Sequence, residues 1–505
     1  MEITDFSALI FTFLFIFLLL KLGIKHRIGD PSKSNLPPGP WKLPFIGNIH
    51  QLAGSQPHRV LRELAKKYGP LMHLQVGEVS TVVVSSPETA KEVMKTHDII
   101  FASRPHIIAT QILSYNSTNI AFAPYGEYWR QLRKICRLEL LSAKRVQSFR
   151  YIREEETSRM IQCITSNVGE TMNLTQKIYS ALFSIIPRTA FGGKCKDQES
   201  FVRFVGEVIK LASGFNIADI YPSIKFFHLI SGVKPKLERL QLQSDRILQG
   251  IVNEHKVAYI TKKDEPEASK DLVDVLLKYL DCENGEFHLT ENNIKAVLLD
   301  IFTGGSETSA TTIDWAMSEM LRNPTILEKA QKEVRQAFRS KGYVDEEDVK
   351  ELKYLQAIIK ETLRLHPPVP LLLPRENSER CEISGYEIPL KTKIIVNAWA
   401  INRDSRYWQD AESFIPERFL DSSVDNKGTN FEYIPFGAGR RICPGMTFGL
   451  ATVELTLAKL LYHFNWDLPN GMKPEDLDMA EAYGITTRRK ADLYLVPTLH
   501  NPSLV

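Results

Sequence analysis

One cysteine of this chain, Cys443, stands where the sequence suits metal binding. It lies in the glycine-rich segment Phe436-Gly-Ala-Gly-Arg-Arg-Ile-Cys-Pro-Gly445, and Pro444 favours a helix start directly after it, since proline fits the first helical position. The free amides and positive dipole of a helix start favour a thiolate. A lone thiolate cannot build a zinc site but can serve as the axial ligand of haem. A structural cysteine is the alternative, and Arg441, a cation suited to a haem propionate, argues against it.

A second set of reactive residues lies in Gly304-Gly-Ser-Glu-Thr-Ser309, within a predicted helix over Asn292–Arg322. Two glycines inside a helix cost about 1 kcal/mol each relative to alanine, so we expect them to distort the helix, expose backbone and leave room beside it. Glu307 and Thr308 then place a carboxylate and a hydroxyl at the gap, which suits proton relay to a bound oxygen. The alternative is a Gly/Ser kink with surface polar groups.

Two further pairs have helical spacing. Trp129 and Arg133 are four residues apart and share one helix face. Glu361 and Arg364 are three apart, which allows an ion pair on one face. Each pair alone is ordinary, since a core tryptophan beside a solvated arginine, or a surface ion pair, has the same pattern.

The elements that must position these residues are mostly helices. Leu71–Val76 and Thr81–Ser85 are predicted strands, because they are β-branched or alternating in character, and residues 369–400 are mixed. With no internal repeat or linker dividing residues 41–505, we predict one large domain, mainly α with a minor β part. Helical periodicity predicts helices over Glu127–Leu141, Ser200–Ala212, Lys234–Ala258, Asn292–Arg322, Thr325–Ser340, Glu347–Leu365 and 446–463.

The N-terminus predicts a membrane anchor. Phe6–Ile24 is almost wholly apolar, and a span needs about 17–20 residues if Lys21 snorkels to the interface. Lys25, His26 and Arg27 follow the run, so the positive-inside rule places the N-terminus in the lumen and the rest in the cytosol. The alternative is a cleaved signal peptide, but that has its positive charge before the apolar run.

The predicted organisation is therefore a signal-anchor transmembrane segment over 1–27, a hinge over 28–40 and a catalytic domain over 41–505. The hinge is basic at its start and ends in Leu36-Pro-Pro-Gly-Pro40, which is too rich in proline for a helix or a central strand.

Composition excludes several classes of protein. The 505 residues include 63 Lys plus Arg and 60 Asp plus Glu, a net charge of +3, with 43% hydrophobic and 24% charged residues. These values exclude a disordered, collagen-like or polytopic membrane protein and give no basic footprint for nucleic acid. Six cysteines form no disulfide framework. No Gly-x-Gly-x-x-Gly joins a strand to a helix, so electrons for redox chemistry must come from another protein.

The segment around Cys443 fits the pattern Phe-x-x-Gly-x-Arg-x-Cys-x-Gly at every defined position. It resembles the haem-thiolate monooxygenases of the cytochrome P450 superfamily. The resemblance implies that fold, with heme b as cofactor and Cys443 as its axial iron ligand. It also implies cofactor contacts from Arg441, Trp129, Arg133, Arg375, Phe436 and Gly437, catalytic roles for Thr308 and Glu307, and a bracing network of Glu361, Arg364 and Arg418.

Finer motifs look like those of plant microsomal members close to terpenoid- and alkaloid-oxidising enzymes. They are Lys42-Leu-Pro-Phe-Ile-Gly-Asn48, the stretch 125–133 and Phe431-Glu-Tyr-Ile-Pro-Phe436. This resemblance implies an endoplasmic reticulum, single-pass enzyme anchored in lipid by its N-terminal helix, with its catalytic domain facing the cytosol. It would use O2 and electrons from NADPH-cytochrome P450 reductase, docked on basic groups such as Arg440, Arg441 and Arg137.

The substrate implied is a small apolar plant specialised metabolite, a sesquiterpene or diterpene, that is hydroxylated or oxidised further. An indole-alkaloid or phenolic scaffold is the alternative substrate. A haem sensor or electron carrier without turnover is the alternative of another class, and the Gly304-Gly305 gap beside Thr308 argues against it and against a peroxide isomerase. By resemblance, the pocket residues are Ile107, Ile112, Leu113, Ile120, Ile301, Phe302, Gly304, Val369, Leu371 and Ile485.

Overall fold

The computed structural model describes residues 12–13, 35–52, 56–193, 204–208, 211, 216–261, 271–280, 287–482 and 484–500. Apart from Thr12 and Phe13, the predicted anchor lies outside these residues, as does much of the predicted helix Ser200–Ala212. Within the described parts of the chain, none of the helices combines the length and the hydrophobicity that a membrane span requires.

Helices dominate the described residues, as predicted. In chain order the α-helices are α1 (Ile49–Leu52), α2 (Pro57–Tyr68), α3 (Pro87–Lys91), α4 (Ile108–Leu113), α5 (Glu127–Ile135), α6 (Ala143–Ser148), α7 (Arg150–Thr165), α8 (Leu174–Phe191), α9 (Ile217–Ile220), α10 (Lys225–Ile230), α11 (Val233–Thr261), α12 (Leu272–Leu277), α13 (Glu291–Arg322), α14 (Pro324–Phe338), α15 (Glu346–Val349), α16 (Lys353–Leu365), α17 (Ala398–Ile401) and α18 (Met446–His463).

The strands form small sheets at the edge of this helical body. They are β1 (Leu71–Val76), β2 (Val79–Val84), β3 (Met172–Asn173), β4 (Arg375–Glu376), β5 (Cys381–Ile383), β6 (Tyr386–Ile388), β7 (Lys393–Val396), β8 (Phe464–Asp467), β9 (Glu481–Ala482), β10 (Arg488–Arg489) and β11 (Tyr494–Leu499).

The largest sheet has the order β1-β2-β7-β4. β1 and β2 form an antiparallel hairpin, and β7 then pairs parallel to β2, with Val82 opposite Ile394. The β-branched run Val82-Val83-Val84 suits a strand with both faces covered, and all three residues are buried. Smaller sheets follow the orders β3-β11-β8, β5-β6 and β9-β10. The β part is therefore minor, as predicted.

Helix α13 is the longest helix described, and it crosses the main core. A capping box fixes its start, because the Thr290 hydroxyl accepts from the Asn293 amide and the Asn293 side chain accepts from the Thr290 amide. It ends where Pro324 begins α14. Helices α8, α16 and α18 pack against it, so nearly all of its second half is buried.

The predicted helix Glu347–Leu365 is two helices in the structure. Residues 350–352 turn between α15 and α16. The carboxylate of Glu333, on α14, accepts from the first amides of α16, those of Tyr354 and Leu355, at 2.8 and 2.9 Å. A cap supplied by another helix leaves no mark in the local periodicity, so the prediction missed the break.

The proline-rich segment before the body lies against the sheet. The Pro38 carbonyl accepts from the His73 amide at 2.9 Å, and the Asn35 carbonyl accepts from the Glu387 amide at 2.8 Å. The part of the predicted hinge that the structure describes, residues 35–40, is therefore bound to the body.

Candidate active site

A cavity of about 420 Å³ lies between the Cys443 loop and helix α13. Cys443 lines one side, and Thr308 and Gly304 line the opposite side. We call the first side, formed by residues 436–445 with Arg133 and Arg375, the cysteine side. We call the second the distal wall; it is formed by residues 119–122 and by the cavity-lining residues of α13 between Asp300 and Thr308. The two motifs singled out from sequence thus face one space.

The cysteine loop is held in a tight turn by its backbone. Gly439 has a φ of +68°, and a Cβ there would lie 2.1 Å from the Met94 carbonyl oxygen, so no other residue fits. The Cys443 amide donates to the Phe436 carbonyl at 3.0 Å. Helix α18 spans Met446–His463, the range predicted from the sequence, and it begins three residues after Cys443.

The Cys443 sulfur lies at the start of α18, as expected. Burial raises the pKa of the Cys443 thiol, although the amides of Gly445 and Met446 and the charge of Arg133 act to lower it. The helix start therefore acts on the thiol in the expected direction, toward the thiolate, but desolvation exceeds the pull of the amides and the pKa stays raised. A metal cation at the sulfur would reverse that balance, since metal binding displaces the proton.

The cavity carries a large excess of positive charge. Of the described residues that line it, Asp300 is the only carboxylate, against the guanidinium groups of Arg104, Arg133, Arg145, Arg375 and Arg441. Burial, then the charges of Arg375 and Arg133, lower the pKa of Arg441 to about 9. Burial, followed by the charges of Arg441, Arg375 and Arg133, also lowers the pKa of Arg104. Such a cluster is unfavourable unless an anion compensates it.

Arg441 and Trp129 are fixed by backbone carbonyls of two segments, one before α4 and one before α5. Arg441 donates to the carbonyls of Ala102 at 2.7 Å and Ala123 at 2.5 Å. The Trp129 indole lies beneath the guanidinium, 4.1 Å from ring centroid to carbon, and its Nε1 donates to the Ile120 carbonyl at 2.9 Å. Trp129 does not line the cavity; it supports Arg441.

Arg133 and Arg375 complete the cysteine side. Arg133 donates to the carbonyl of Ile442, next to Cys443. Arg375 donates to the Ala438 carbonyl at 2.9 Å and lies 3.2 Å from the Asp98 carboxylate. One buried sulfur within this ring of cations fits a cofactor that needs a single axial thiolate and carries two carboxylates of its own, which is the chemistry of haem.

The distal wall opens at Gly304. Helix α13 runs unbroken through both glycines, so the expected distortion is absent from its backbone. A Cβ on Gly304 would meet nothing within 4 Å, whereas a Cβ on Gly305 would lie 2.8 Å from Cδ1 of Ile186 on α8. Gly304 therefore provides room in the cavity, and Gly305 allows close packing of the two helices. The Thr308 hydroxyl donates to the Gly304 carbonyl at 2.7 Å.

Glu307 faces away from the cavity, into the protein. Its carboxyl accepts from the Tyr179 hydroxyl at 3.2 Å and from the Thr486 hydroxyl at 3.5 Å. Burial raises the pKa of Glu307, and the charge of Arg488 opposes that shift. Thr486 lines the cavity and Glu307 does not, so Thr486 is the group between them. A proton held on Glu307 lies one hydroxyl away from the cavity.

Of the ten pocket residues proposed from the sequence, some line the cavity in the structure and others pack elsewhere. Phe302 is on the opposite face of α13, where its ring lies 5.5 Å from that of Phe183 and 6.3 Å from that of Phe191. Ile107 and Ile112 pack with the main core, and Leu371 packs beside the β1-β2 hairpin. Six of the ten line the cavity: Leu113, Ile120, Ile301, Gly304, Val369 and Ile485.

Three charged residues that sequence reasoning missed also line the cavity, namely Arg104, Arg145 and Asp300. Arg104 is 9% exposed and donates to the carbonyls of Leu373 and Pro374 at 2.8 and 2.7 Å. Asp300 lies one turn before Gly304 on α13. For Arg104 and Asp300, a possible signal was their place beside apolar runs, Phe101-Ala-Ser-Arg-Pro105 and Val297–Phe302, where a lone charge is costly to bury.

The predicted bracing network is present behind the cysteine side. Glu361 and Arg364, both 0% exposed, form a two-pronged ion pair at 2.7 and 2.8 Å. Arg418 joins it at 3.0 Å from the same carboxylate. Arg364 also donates to the carbonyls of Asn402 and Ala411. The network therefore ties α16 to the chain segment that leads to the Cys443 loop.

The fold and the site together fit the haem-thiolate class of proteins, because one cysteine lies beside a cation-ringed cavity and a hydroxyl-bearing helix lies across it. A sequence model described as Cytochrome P450 matches residues 37–496, and the chain belongs to that family. It is a monooxygenase with haem as its cofactor.

Relatives and solved structures agree with this assignment. The chain is 56% identical over 500 residues to "Cytochrome P450 71D7" of Solanum chacoense, which covers 98% of this chain and all of the relative. It is 54% identical to premnaspirodiene oxygenase of Hyoscyamus muticus, over 99% of both chains. A zebra fish cytochrome P450 solved with abiraterone is 24% identical with a TM-score of 0.74, covering 88% of this chain and 100% of that one, which supports the fold.

Proposed function

We propose that this protein hydroxylates, or oxidises further, an apolar sesquiterpene or diterpene in the cavity between Cys443 and α13. The observation that carries the proposal is the lining of that cavity, where Leu113, Ile120, Ile301, Val369 and Ile485 offer aliphatic walls. Such walls bind a hydrocarbon by burying its surface and exclude water from the reaction.

The names of two relatives support a terpene substrate. One is premnaspirodiene oxygenase, and another, 53% identical over 99% of this chain and of the relative, is the 5-epiaristolochene 1,3-dihydroxylase of Nicotiana tabacum. A third relative, 55% identical over 98% of this chain and 96% of the relative, is the desmethyl-deoxy-podophyllotoxin synthase of Sinopodophyllum hexandrum. The polar edge at Asn119 and Asp300 favours an oxygenated scaffold, alkaloid or phenolic, as the second candidate.

The chain's own residues account for holding the cofactor. Cys443 would supply the thiolate that holds the cofactor, and Arg133, Arg375 and Arg441 would neutralise its two carboxylates. Phe436 and Gly437 line the cavity beside the sulfur. Bound in this cradle, haem supplies redox-active iron that activates dioxygen. Backbone carbonyls already orient each of these guanidinium groups, so they would hold the cofactor without rearrangement.

Proton transfer into the cavity is assigned to Thr308, on the distal wall, and to Glu307 behind it. The Thr308 hydroxyl lines the cavity and donates its single proton to the Gly304 carbonyl. It can donate to an acceptor in the cavity by turning away from that carbonyl, or accept a hydrogen bond while it stays in place. Glu307, whose raised pKa favours the protonated form, can release a proton through the Thr486 hydroxyl. The gap at Gly304 leaves room for the acceptor. An electron carrier or haem sensor without turnover would need none of these features.

We also propose the cellular setting. The apolar run Phe6–Ile24 and the basic residues after it support a single-pass anchor in the endoplasmic reticulum membrane, in contact with lipid, with residues 41–505 in the cytosol as the catalytic domain. Electrons would come from NADPH-cytochrome P450 reductase. Arg137 and Arg440 are exposed near the cysteine side, which supports docking there. Arg441, by contrast, is buried and points inward, so we omit it from the docking surface.

The test is co-expression with a plant NADPH-cytochrome P450 reductase and feeding with premnaspirodiene, 5-epiaristolochene, a diterpene hydrocarbon, an indole alkaloid and a phenolic scaffold. We expect NADPH-dependent products heavier by one oxygen from at least one of the terpenes, read by mass spectrometry. Products from the alkaloid or the phenolic scaffold alone would select the second candidate. A folded, haem-loaded enzyme that oxidises none of them would overturn the substrate proposal.

A further inference from the structure

Asp300 joins the two segments of the distal wall. It lies on α13, and its carboxylate accepts from Asn119 Nδ2 at 2.6 Å and from the Ala121 amide at 2.9 Å. Both donors belong to the irregular segment 119–123, which has no regular secondary structure to fix it. The Asp300 side chain thus attaches this segment to α13.

The same segment is held from the opposite side by the residues that support the cofactor. Arg104 donates to the Ala121 carbonyl at 2.9 Å, so the peptide groups flanking Ala121 are bound on both sides. Trp129 and Arg441 donate to the Ile120 carbonyl at 2.9 and 3.3 Å. Residues 119–123 are therefore clasped between α13 and the cofactor cradle, and their position depends on both.

We call the hydrogen bonds between Asp300 and residues 119 and 121 the clasp. The segment that the clasp holds faces the cavity in which the substrate would bind. The side chains of Ile120 and Phe122 line the cavity, as do Ile301 and Gly304 on the same helix as Asp300. Burying a carboxylate is unfavourable unless hydrogen bonds compensate it, and packing alone would place an apolar residue here. The function of the charge is then the strong, oriented hydrogen bonds that a carboxylate accepts.

We propose that Asp300 is a positioning residue that fixes segment 119–123 against α13 and thereby determines which carbon of the substrate is oxidised. The inference rests on the proposed oxidation of an apolar substrate in this cavity. Asp300 touches neither the cysteine nor the reacting groups, and it acts through Ile120 and Phe122. If the clasp loosens, these two side chains move and the substrate gains further orientations.

The chain offers a reciprocal exchange as the test. In D300N, the amide oxygen can still accept from the Ala121 amide. The new NH2 group, however, faces the NH2 group of Asn119, so two donors meet and the hydrogen bond between the side chains is lost. In N119D, two carboxylates oppose each other. The double variant D300N/N119D exchanges donor and acceptor, so the contact between the two side chains can form again. The Phe122 amide, which now donates to the Asn119 side chain at 3.1 Å, keeps an acceptor in every variant.

Asp314 provides the matched control. It is a second buried carboxylate on α13, and it accepts from the Thr175 hydroxyl at 2.6 Å. It does not line the cavity. D314N therefore alters a buried, hydrogen-bonded carboxylate of the same helix without altering the clasp.

Three measurements are made on the haem-loaded, full-length proteins. They are amide hydrogen exchange across residues 119–123, the affinity for phenylimidazole from the shift in haem absorbance, and the product ratio from premnaspirodiene and 5-epiaristolochene. We expect D300N and N119D each to speed exchange about tenfold, to weaken phenylimidazole binding and to broaden the product ratio. The double variant should restore all three, and D314N should change none of them.

Unchanged exchange and binding in D300N would overturn the proposal, as would a double variant no better than the single variants, since a general loss of stability is not reversed by exchanging partners. If wild-type enzyme oxidises neither terpene, the proposed substrate class fails. Exchange and phenylimidazole binding then still decide the role of Asp300, because neither depends on turnover.

Discussion

The cysteine side and the distal wall of the cavity are held in place by different means. On the cysteine side, the charged side chains Arg133, Arg375 and Arg441 donate to backbone carbonyls, and Gly439 allows a turn that no other residue permits. On the distal wall, helix hydroxyls bond to carbonyls of their own helix, as Thr308 does to Gly304, and aliphatic side chains form the surface.

This difference suits the cysteine side to holding the cofactor and the distal wall to selecting the substrate. Backbone carbonyls are present whatever the sequence, so a cradle built on them tolerates change elsewhere and keeps one cofactor in one place. A surface of aliphatic side chains can be reshaped by single substitutions at little cost to the fold, since volume-conserving exchanges between hydrophobic residues usually cost less than about 1.5 kcal/mol. We therefore expect changes on the cysteine side to abolish cofactor binding, and changes on the distal wall to alter selectivity and coupling.

The largest effect should follow loss of the sulfur. In C443S, we expect the red-shifted absorbance band of the reduced protein with carbon monoxide to disappear, and oxidation with it, because a neutral hydroxyl cannot replace a thiolate ligand. C381S is the control, since Cys381 lies on β5 and does not line the cavity, and should keep the band. A band that survives in C443S would refute the axial assignment.

The next effect should come from the bracing network behind the cysteine side. E361Q removes the buried negative charge that Arg364 and Arg418 share, and breaking a buried pair in this way costs about 3–5 kcal/mol. We expect a lower denaturation midpoint and less haem per chain. E63Q, which alters an exposed pair with Lys66, should change stability by less than about 1 kcal/mol. Equal effects in the two variants would show that the network does not support the cradle.

On the distal wall, T308A should leave the cofactor bound and divert electrons. With the hydroxyl gone, oxidised product per NADPH should fall by about a hundredfold, the low end of what a positioned proton donor contributes, while hydrogen peroxide rises. T303A removes a hydroxyl that also lines the cavity and bonds back to the helix, to the Leu299 carbonyl at 2.8 Å, and should keep its coupling. Unchanged coupling in T308A would remove Thr308 from proton handling.

Asp314, on the second half of α13 and outside the cavity, should make the free energy of unfolding depend on pH. Burial raises the pKa of Asp314 from 3.8 to about 6. A folded pKa above the unfolded value stabilises the fold fully below about pH 4, and this contribution is lost as the pH rises through about 6. Wild-type stability should therefore fall relative to D314N by up to about 3 kcal/mol between pH 4 and 7. Denaturation midpoints of the two proteins across that range provide the measurement, and parallel curves would contradict it.

The cysteine side could be predicted from sequence because its geometry is local. Ten consecutive residues contain the turn, the ligand and a cation, and the turn chemistry of glycine and proline follows from their covalent structure. The helices α13 and α18 were predicted to within a residue or two. The break before α16 was missed, because its cap comes from Glu333 on another helix.

The distal wall was only partly predicted, since its faces depend on tertiary packing. Ile301, Gly304 and Thr308 share a helix face, yet Phe302 is as apolar as Ile301 and faces the core. In the loop before α5, the apolar residues have no period, so nothing in the sequence separates Ile120 from Ile107. The burial of Asp300 and Arg104 is hinted at by their apolar neighbours in sequence, but their partners lie far along the chain, so the sequence does not show which groups they bind.

The smallest expected effect comes from the adjacent glycines Gly304 and Gly305, of which the first leaves room in the cavity and the second allows α13 to pack on α8. Alanine in place of glycine favours a helix by about 1 kcal/mol. G304A adds a methyl group into open cavity, so we expect slightly higher stability together with an altered product ratio. G305A adds one 2.8 Å from Cδ1 of Ile186, and overpacking of about 1–3 kcal/mol should offset or exceed the helical gain. I186V removes that Cδ1 atom and should restore the stability of G305A. Denaturation midpoints and product ratios separate the two variants, and identical behaviour would show that both glycines serve only the packing of α13 on α8.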